Sequence, residues 1–245
     1  MAAIYDKFAR QYKASKTLPF RKYIEWYSYN KLLGDISQKS VLDLACGEGF
    51  YTRRIKKMTA ETVVGVDISE KMIGLAKQQE ESHPLGIDYF SGDVRSLGKI
   101  GSFDLVVASY LLNYARTKEQ LLKMCQSISA NLNSGGRFVS INNNPDQSPE
   151  SFPICEKYGF TKSLSGPLKE GKAITYEFFR GGQKFHFDNY YLSTKTHEWA
   201  FKRAGLNHIR WQPIEVSPDG LTIFGQEFWQ DFIDYEPIVG IECLN

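Results

Sequence analysis

Short hydrophobic runs alternate with helical stretches through the middle of the chain, and this pattern predicts a β-α-β order. Five strands are predicted, over residues 40–45, 62–67, 87–92, 103–108 and 137–142. Helices are expected over residues 50–58 and 117–132, and a further helix is expected to begin after an N-cap at Ser69. A turn is expected at residues 133–136. Strands separated by helices are typical of a doubly wound α/β fold with a parallel core.

The regular alternation stops after residue 142, and residues 143–191 are interpreted as an insertion. Its last part contains two β-type runs joined at Gly181-Gly182, which predicts a β-hairpin. Beyond it we expect a helix, a strand, a second helix and a last strand, over residues 194–204, 208–216, 227–235 and 238–244. Before the first strand, residues 4–33 have a helical pattern with a break near Pro19.

The 245 residues contain no repeat, low-complexity stretch or long linker, so one domain over 1–245 is expected. Residues 1–33 are expected to form a helical lid and residues 34–142 a cofactor-binding core. Residues 143–191 are expected to form an insertion that caps the substrate site, and residues 192–245 to complete the sheet. A formal net charge of +2 provides no strong positive field, so we expect no nucleic-acid partner.

The cysteines, histidines and hydrophobic runs limit the remaining classes of protein. The four cysteines have no Cys-x-x-Cys spacing and are expected to be reduced thiols, and the four histidines have no metal-ligand spacing. No hydrophobic run is long enough to cross a bilayer. We therefore expect a cytoplasmic protein that binds no metal and no membrane, and we favour a monomer.

The most informative motif is the sequence VLDLACGEGF at residues 41–50. A strand there ends in a turn with Gly47 and Gly49, and the following helix begins with its N–H groups directed at a ligand site. The second strand ends at Asp67, about 20 residues further on, where a carboxylate reaches the hydroxyls of a ribose. The spacing predicts a ligand that contains an adenosine-like ribose.

The absence of two other nucleotide-binding motifs limits which nucleoside ligand can be expected. A dinucleotide motif needs a third glycine, but Thr52 stands there, so a pyrophosphate site is not expected. No Gly-Lys-Ser/Thr sequence is present for a triphosphate. Asp43, at the end of the first strand, suits a ligand that carries an ammonium group.

These residues resemble motif I and the following acid of the class I S-adenosylmethionine-dependent methyltransferases. Ala45 replaces the first glycine of the usual motif, a change expected to cost little sterically. The resemblance covers about 34–142 and the C-terminal strands, and implies a Rossmann-like seven-stranded sheet whose last strand inserts antiparallel between strands 5 and 6. It also implies S-adenosylmethionine as the cofactor.

The resemblance implies roles for residues at the strand ends. The backbone of Ala45, Gly47 and Gly49 would approach the methionine part of the cofactor. Asp43 would face the ammonium group, and Asp67 would accept hydrogen bonds from the ribose.

Further along the chain, the resemblance implies contacts with adenine. Ile68 and Met72 would enclose the ring, Asp93 would accept from the adenine amino group, and the Val94 N–H would donate to a ring nitrogen. Ser109-Tyr110, at the end of the fourth strand, would meet the ammonium group.

A tyrosine-rich helix near the N-terminus is expected to cover the cofactor. Tyr5, Phe8 and Tyr12 share one helical face, and similar helices occur in small-molecule methyltransferases. We expect Tyr12 to contact the cofactor and Tyr5 the substrate. The alternative is a helix that only packs its aromatic stripe onto the edge of the sheet.

The hairpin is expected to form the second wall of the substrate site. Its aromatic residues predicted to contact substrate are Tyr176, Phe178, Phe185, Phe187 and Tyr191. An aromatic slot suits a planar heterocycle better than a sugar or an acyl chain. No catalytic residue is assigned. The candidates for orienting the substrate are Asn113, Tyr114 and Asn142, together with Asn143 and Asn144 that follow it.

Sequences near both ends are similar to toxoflavin-synthase-type azapteridine N-methyltransferases. They are IYDKFA at residues 4–9, LPFRKY at 18–23 and PIVGIE at 237–242. This similarity implies methylation of a ring nitrogen in secondary metabolism. Two alternatives stay open: an O- or C-methyltransferase of a phenol, quinone or lipid, and a non-catalytic cofactor-binding subunit. RNA or protein methylation is disfavoured because no Asn/Asp-Pro-Pro-Tyr/Phe motif follows the fourth strand.

Overall fold

A computed structural model describes residues 15–180 and 182–245. Its ten strands are, in chain order, β1 (Ser40–Leu44), β2 (Thr62–Asp67), β3 (Ile87–Ser91), β4 (Phe103–Ser109), β5 (Leu132–Asn143), β6 (Phe160–Ser163), β7 (Ala173–Arg180), β8 (Gln183–Tyr190), β9 (Asn207–Gln212) and β10 (Ile238–Leu244). Seven of them form one sheet in the order β3-β2-β1-β4-β5-β10-β9. The predicted seven-stranded sheet of the class I methyltransferases is confirmed.

The sheet is parallel through its centre and antiparallel at one side. β1 lies between β2 and β4 and is parallel to both, while β10 is antiparallel to β5 and to β9. Val41, Leu42 and Leu44 of β1 are fully buried, as expected for a central strand covered on both faces. The parallel strands end at one edge of the sheet, where ligands of open α/β folds bind.

Seven α-helices accompany the sheet in the described part of the chain. They are α1 (Tyr27–Leu33), α2 (Phe50–Lys57), α3 (Glu70–Ser82), α4 (Lys118–Ala130), α5 (Thr194–Arg203), α6 (Pro218–Phe224) and α7 (Gln226–Tyr235). A π-helical segment, Arg21–Trp26, leads directly into α1. The predicted N-cap of α3 is present, because the Ser69 hydroxyl accepts a hydrogen bond from the Met72 N–H. None of the described helices is long and apolar enough to span a membrane.

The insertion forms a small antiparallel sheet in the order β6-β7-β8. Tyr176 pairs with Phe187 and Phe178 with Phe185 directly across β7 and β8. These rings stack nearly parallel, with centroids 6.0 Å apart in the first pair and 5.2 Å in the second. All four side chains are buried, whereas His186 is exposed on the opposite face.

Several element boundaries predicted from the sequence were wrong. β5 begins at Leu132 and not at 137, because an irregular register lets Leu132 pair with Phe103 before Arg137 pairs with Leu105. β9 ends at Gln212, and residues 218–224 form the unpredicted helix α6. Within the insertion, the four-residue strand β6 and the 3₁₀ segment Pro149–Tyr158 were both missed.

Candidate active site

The loop after β1 and the end of β2 are tied together by Asp67. Its carboxylate accepts hydrogen bonds from the Gly47 N–H at 2.9 Å and from the Ser69 N–H at 2.8 Å. Burial raises the pKa of Asp67, and these backbone donors oppose that rise. The carboxylate therefore lies at the sheet edge with its orientation set by backbone from two elements.

Asp43 lies deeper, at the carboxyl end of β1. It is buried, and the Thr52 hydroxyl of α2 donates to its Oδ2 atom at 2.6 Å. Burial raises the pKa of Asp43 to about 7, while the Thr52 hydrogen bond and the charge of Lys16 oppose the rise. Lys16, Asp43 and Ser109 line one small pocket, which we call the Asp43 pocket.

The three small residues of the loop have different reasons for their size. Gly47 has a φ of 56°, and a Cβ added there would meet no atom within 4 Å. Gly49 has a φ of 83°, and a Cβ there would also clash with the Tyr89 hydroxyl of β3, so backbone conformation and packing both favour glycine. Ala45 has a φ of 59°, a left-handed conformation that costs about 1–2 kcal/mol for a residue with a Cβ. The expectation of a small steric cost at Ala45 was wrong.

A large cleft opens at the carboxyl ends of the parallel strands, and we call it the main cleft. The space between its walls, counted together with open solvent at its mouth, is about 980 Å³. It is lined by nine of the residues predicted to bind the cofactor, namely Ala45, Gly47, Asp67, Ile68, Met72, Asp93, Val94, Ser109 and Tyr110. The fold thus brings together the ends of β1, β2 and β4 and the segment after β3.

Arg95 also lines the main cleft, and sequence analysis missed it. Its guanidinium donates to both carboxylate oxygens of Asp93, and this hydrogen bonding lowers the pKa of Asp93. The Arg95 N–H donates to the same carboxylate at 2.9 Å. Asp93 is therefore ionised and held in place beside the cleft.

A second cavity lies between the main cleft and the three-stranded sheet, and we call it the aromatic cavity. It is lined by Phe20, Arg21, Tyr110, Tyr114, Asn143, Phe160, Tyr176, Phe178, Phe187, Asn189 and Ile238. Tyr110, Tyr114 and Phe187 line the main cleft as well. These three side chains form the boundary between the two spaces.

The polar groups of the aromatic cavity differ in part from those predicted. The Asn143 amide donates to Asn189 at 3.1 Å, and Asn189 also hydrogen-bonds the Tyr114 hydroxyl. Of the predicted asparagines at the end of β5, Asn143 lines the cavity and Asn142 does not, because side chains alternate along the strand. Asn113 is buried and its amide donates to the Tyr110 carbonyl oxygen at 3.5 Å.

Two of the predicted substrate contacts on the hairpin lie outside the lining of both spaces. Phe185 stacks on Phe178 and Phe187, and Tyr191 packs against the hydrophobic core just after β8. Tyr176, Phe178 and Phe187 do line the aromatic cavity. The predicted contacts Tyr5 and Tyr12 lie outside the residues that the structure describes.

A buried ionic cluster stands behind Tyr110, and nothing in the sequence analysis predicted it. Glu25 has no solvent exposure, and its carboxylate accepts hydrogen bonds from Arg21, Tyr51 and Tyr110. The Arg21 guanidinium also lies 5.0 Å from the ring centroid of Tyr110 and 5.5 Å from that of Phe178. The i,i+4 spacing of Arg21 and Glu25 could have indicated an ion pair, but not its burial.

Comparison with known proteins identifies the family. Residues 41–136 match a methyltransferase domain family. A relative from Bacillus subtilis (strain 168) is named "Putative methyltransferase YqeM". It is 30% identical over 249 residues, which cover 98% of this chain and 95% of that protein. The demethylmenaquinone methyltransferase of Lactococcus lactis is 28% identical over 215 residues, covering 85% of this chain and 82% of that protein.

A solved structure shows the same fold. The S-adenosylmethionine-dependent methyltransferase from Clostridium acetobutylicum has a TM-score of 0.64 and 18% identity, and the match covers 98% of each chain. The chain belongs to the class I S-adenosylmethionine-dependent methyltransferases. It is an enzyme, and its cofactor is S-adenosylmethionine.

The residues of the main cleft fit that cofactor. The open space beside Gly47 allows close approach of a ligand to the backbone, and the Asp67 carboxylate offers acceptors for ribose hydroxyls. The Asp43 pocket adjoins the cleft at Ala45 and Gly47, and places a carboxylate where a cationic amine would be stabilised.

Proposed function

We propose that the enzyme transfers a methyl group to a ring nitrogen of a small planar heterocycle bound in the aromatic cavity. This proposal is supported by one observation: Tyr110, Tyr114 and Phe187 line both the main cleft and the aromatic cavity. A cofactor in the cleft and an acceptor in the cavity would therefore be neighbours. A pyrimidotriazine of the toxoflavin type is the favoured acceptor.

The main cleft has the chemistry to hold the cofactor in one orientation. Asp67 would bind the ribose, Ile68 and Met72 would pack on adenine, and Asp43 would attract the ammonium group. The cofactor supplies a methyl group on a positively charged sulfur. Holding donor and acceptor at near-attack distance is the main contribution that a protein makes to such a displacement.

The aromatic cavity has the chemistry to orient a flat acceptor. Phe178 and Phe187 stack with centroids 5.7 Å apart, and a planar ring can pack against aromatic faces of this kind. The amides of Asn143 and Asn189 and the Tyr114 hydroxyl offer hydrogen-bond donors and acceptors at one side. Stacking adds only about 0.5–1.5 kcal/mol beyond area burial, so we assign specificity to these polar groups.

Methylation of a quinone-type ring is the second candidate function. The relative from Lactococcus lactis that matches most of this chain is named a demethylmenaquinone methyltransferase. Relatives from Coxiella burnetii named ubiquinone biosynthesis O-methyltransferases are 34% identical over 109 residues, but the match covers only 45% of those proteins. A reduced quinone ring is also planar, so the aromatic cavity suits either class of acceptor.

A panel of acceptors with labelled S-adenosylmethionine tests the proposal. The panel contains azapteridines, purines, phenols and reduced naphthoquinones, and product analysis identifies the methylated atom. Transfer to a heterocyclic nitrogen supports the proposal, whereas transfer only to a phenol oxygen or a quinone carbon refutes it and supports the second candidate. Phe187→Leu should lower kcat/KM for the acceptor about tenfold, since it lines both spaces.

Phe185→Leu is the matched control, because Phe185 belongs to the same stack but lines neither space. Equal losses of kcat/KM in the two variants would show that the stack acts only through folding. A loss confined to Phe187→Leu supports an acceptor bound against that ring.

A further inference from the structure

Methylation of an acceptor in the aromatic cavity requires a group that takes up a proton. A ring N–H that is methylated must lose a proton, as must a phenol O–H, so the acceptor site needs a route for it. Among the residues that the structure describes, no Asp, Glu or His lines this cavity. The carboxylate of Glu25 is, however, joined to the wall of the cavity by the Tyr110 hydroxyl.

The position of the Tyr110 hydroxyl is defined by its neighbours. Both this hydroxyl and the Arg21 guanidinium donate to the same oxygen, Oε2 of Glu25, so they lie side by side. Arg21 and Tyr110 both line the aromatic cavity, and Tyr110 lines the main cleft as well. The hydroxyl therefore connects the boundary of the two spaces to a buried carboxylate.

We propose that Tyr110 takes up the proton released by the acceptor while its own hydroxyl proton passes to Glu25. This inference rests on the proposed methyl transfer. The acceptor nitrogen forms a bond to the methyl carbon and loses its hydrogen as a proton, and the methyl-to-sulfur bond breaks with its electron pair left on sulfur. The proton goes to the Tyr110 oxygen, the Tyr110 proton goes to Oε2 of Glu25, and release to solvent restores the carboxylate. Tyr110 is thus the catalytic residue and Glu25 a positioning residue that acts through it.

Charged and polar groups from several elements face Glu25. Arg21 provides a buried counter-charge from the same helical segment, and Tyr51 of α2 donates to the other oxygen, Oε1. Burial lowers the pKa of Arg54, also on α2, and the negative charge of Glu25 opposes that change. On α1, burial raises the pKa of Tyr29, and the charges of Asp43 and Glu25 add to the rise.

Tyr51 provides a matched control for Tyr110. Each tyrosine donates one hydrogen bond to the Glu25 carboxylate. Tyr51 lines the Asp43 pocket, and it lines neither the main cleft nor the aromatic cavity. Tyr51→Phe and Tyr110→Phe therefore remove the same kind of bond from Glu25. Only the Tyr110 variant removes the hydroxyl of a residue that lines the acceptor site.

The experiment measures kcat and KM across pH, in water and in deuterium oxide, with any acceptor from the panel that the wild type methylates. Tyr110→Phe should lower kcat by about 10²–10⁴-fold with little change in KM, which is the usual contribution of general acid–base catalysis. The solvent isotope effect on kcat should be lost with it. Tyr51→Phe should keep the pH profile and the isotope effect of the wild type.

Glu25→Gln should lower kcat as Tyr110→Phe does, because an amide in place of the carboxylate cannot receive the Tyr110 proton. This variant leaves Arg21 without its counter-charge and can fail to fold. The double variant Arg21→Met, Glu25→Gln removes both charges at similar volume, so kcat can still be measured without the Glu25 carboxylate if the single variant does not fold. Thermal unfolding and binding of S-adenosylhomocysteine serve as folding controls for every variant.

The outcomes separate this inference from the proposed function. A wild type that methylates a heterocyclic nitrogen, with Tyr110→Phe and Tyr51→Phe equally active and equally dependent on pH, overturns the relay but leaves the proposed function intact. Transfer only to a phenol overturns the proposed function, while the relay is still judged by the Tyr110 variant on that phenol. If no acceptor in the panel is methylated, both proposals are overturned.

Discussion

Replacing Asp43 with Asn tests the electrostatics of the cofactor site through the effect of pH. Burial raises the pKa of Asp43 from 3.8 to about 7. At about 1.36 kcal/mol for each tenfold change in proton concentration, ionising this carboxyl in the folded protein costs on the order of 4 kcal/mol. The folded state binds more protons than the unfolded state between these two pH values. The contribution of Asp43 to stability is therefore full below about pH 4 and is lost as the pH rises through 7.

The same ionisation controls binding of the cofactor. If Asp43 attracts the cofactor ammonium group, binding requires the carboxylate, and the affinity falls below pH 7 by up to about tenfold for each pH unit. Asp43→Asn removes both effects. The variant should unfold at a higher temperature than the wild type at pH 8 but bind S-adenosylhomocysteine more weakly, with no pH dependence between 5.5 and 7.0.

Isothermal titration calorimetry with S-adenosylhomocysteine from pH 5.5 to 7.0 measures this affinity. The range lies below about 7.7–8.0, where α-amino groups themselves titrate. Thr52→Val is the matched control, because it keeps the carboxylate and removes the hydrogen bond that lowers the pKa of Asp43. In that variant the loss of affinity should begin at a higher pH.

Two results would refute this reasoning. The first is a wild-type affinity that stays constant from pH 7.0 to 5.5, which would mean that Asp43 does not titrate in this range or does not contribute to binding. The second is an Asp43→Asn variant that retains the slope of the wild type. Another group would then be responsible for the pH dependence.

Three further predictions address the cleft, the loop and the N-terminal segment. Asp67→Asn should weaken S-adenosylhomocysteine binding by about 1.5–3 kcal/mol for each charge-assisted hydrogen bond lost, and unchanged affinity by calorimetry would rule out the ribose contact. Ala45→Gly should raise the free energy of unfolding by about 0.5–1 kcal/mol in denaturant titrations, because glycine tolerates the φ of 59°, and a lower value would contradict the strain. Deleting residues 1–14 should preserve cooperative unfolding and lower turnover, and full activity would show that this segment is not a lid.

Most of the fold could be predicted because it depends on local patterns. The strands β1 to β4 and the helices between them alternate as their hydrophobic periods indicate, and the hairpin pairs β7 with β8 as predicted. The elements that were missed have weak local signals. β6 has only four residues, and Pro153 interrupts the helical pattern of Pro149–Tyr158.

The site was harder to predict where it depends on contacts between distant segments. Nine predicted residues do line the main cleft, because the strand ends that carry them meet at one sheet edge. The Glu25 cluster instead joins residues from three separate segments of the chain, and no motif around any of them indicates the contact. The choice between Asn142 and Asn143 depends on a single step of strand alternation, which the sequence pattern did not resolve.

A crystal structure with S-adenosylhomocysteine tests the central claim most directly. The account predicts ribose hydroxyls within about 3 Å of the Asp67 carboxylate, the ordinary hydrogen-bond length, and a sulfur atom directed at the boundary of Tyr110, Tyr114 and Phe187. A nucleoside bound elsewhere, or a sulfur atom directed away from the aromatic cavity into solvent, would contradict it.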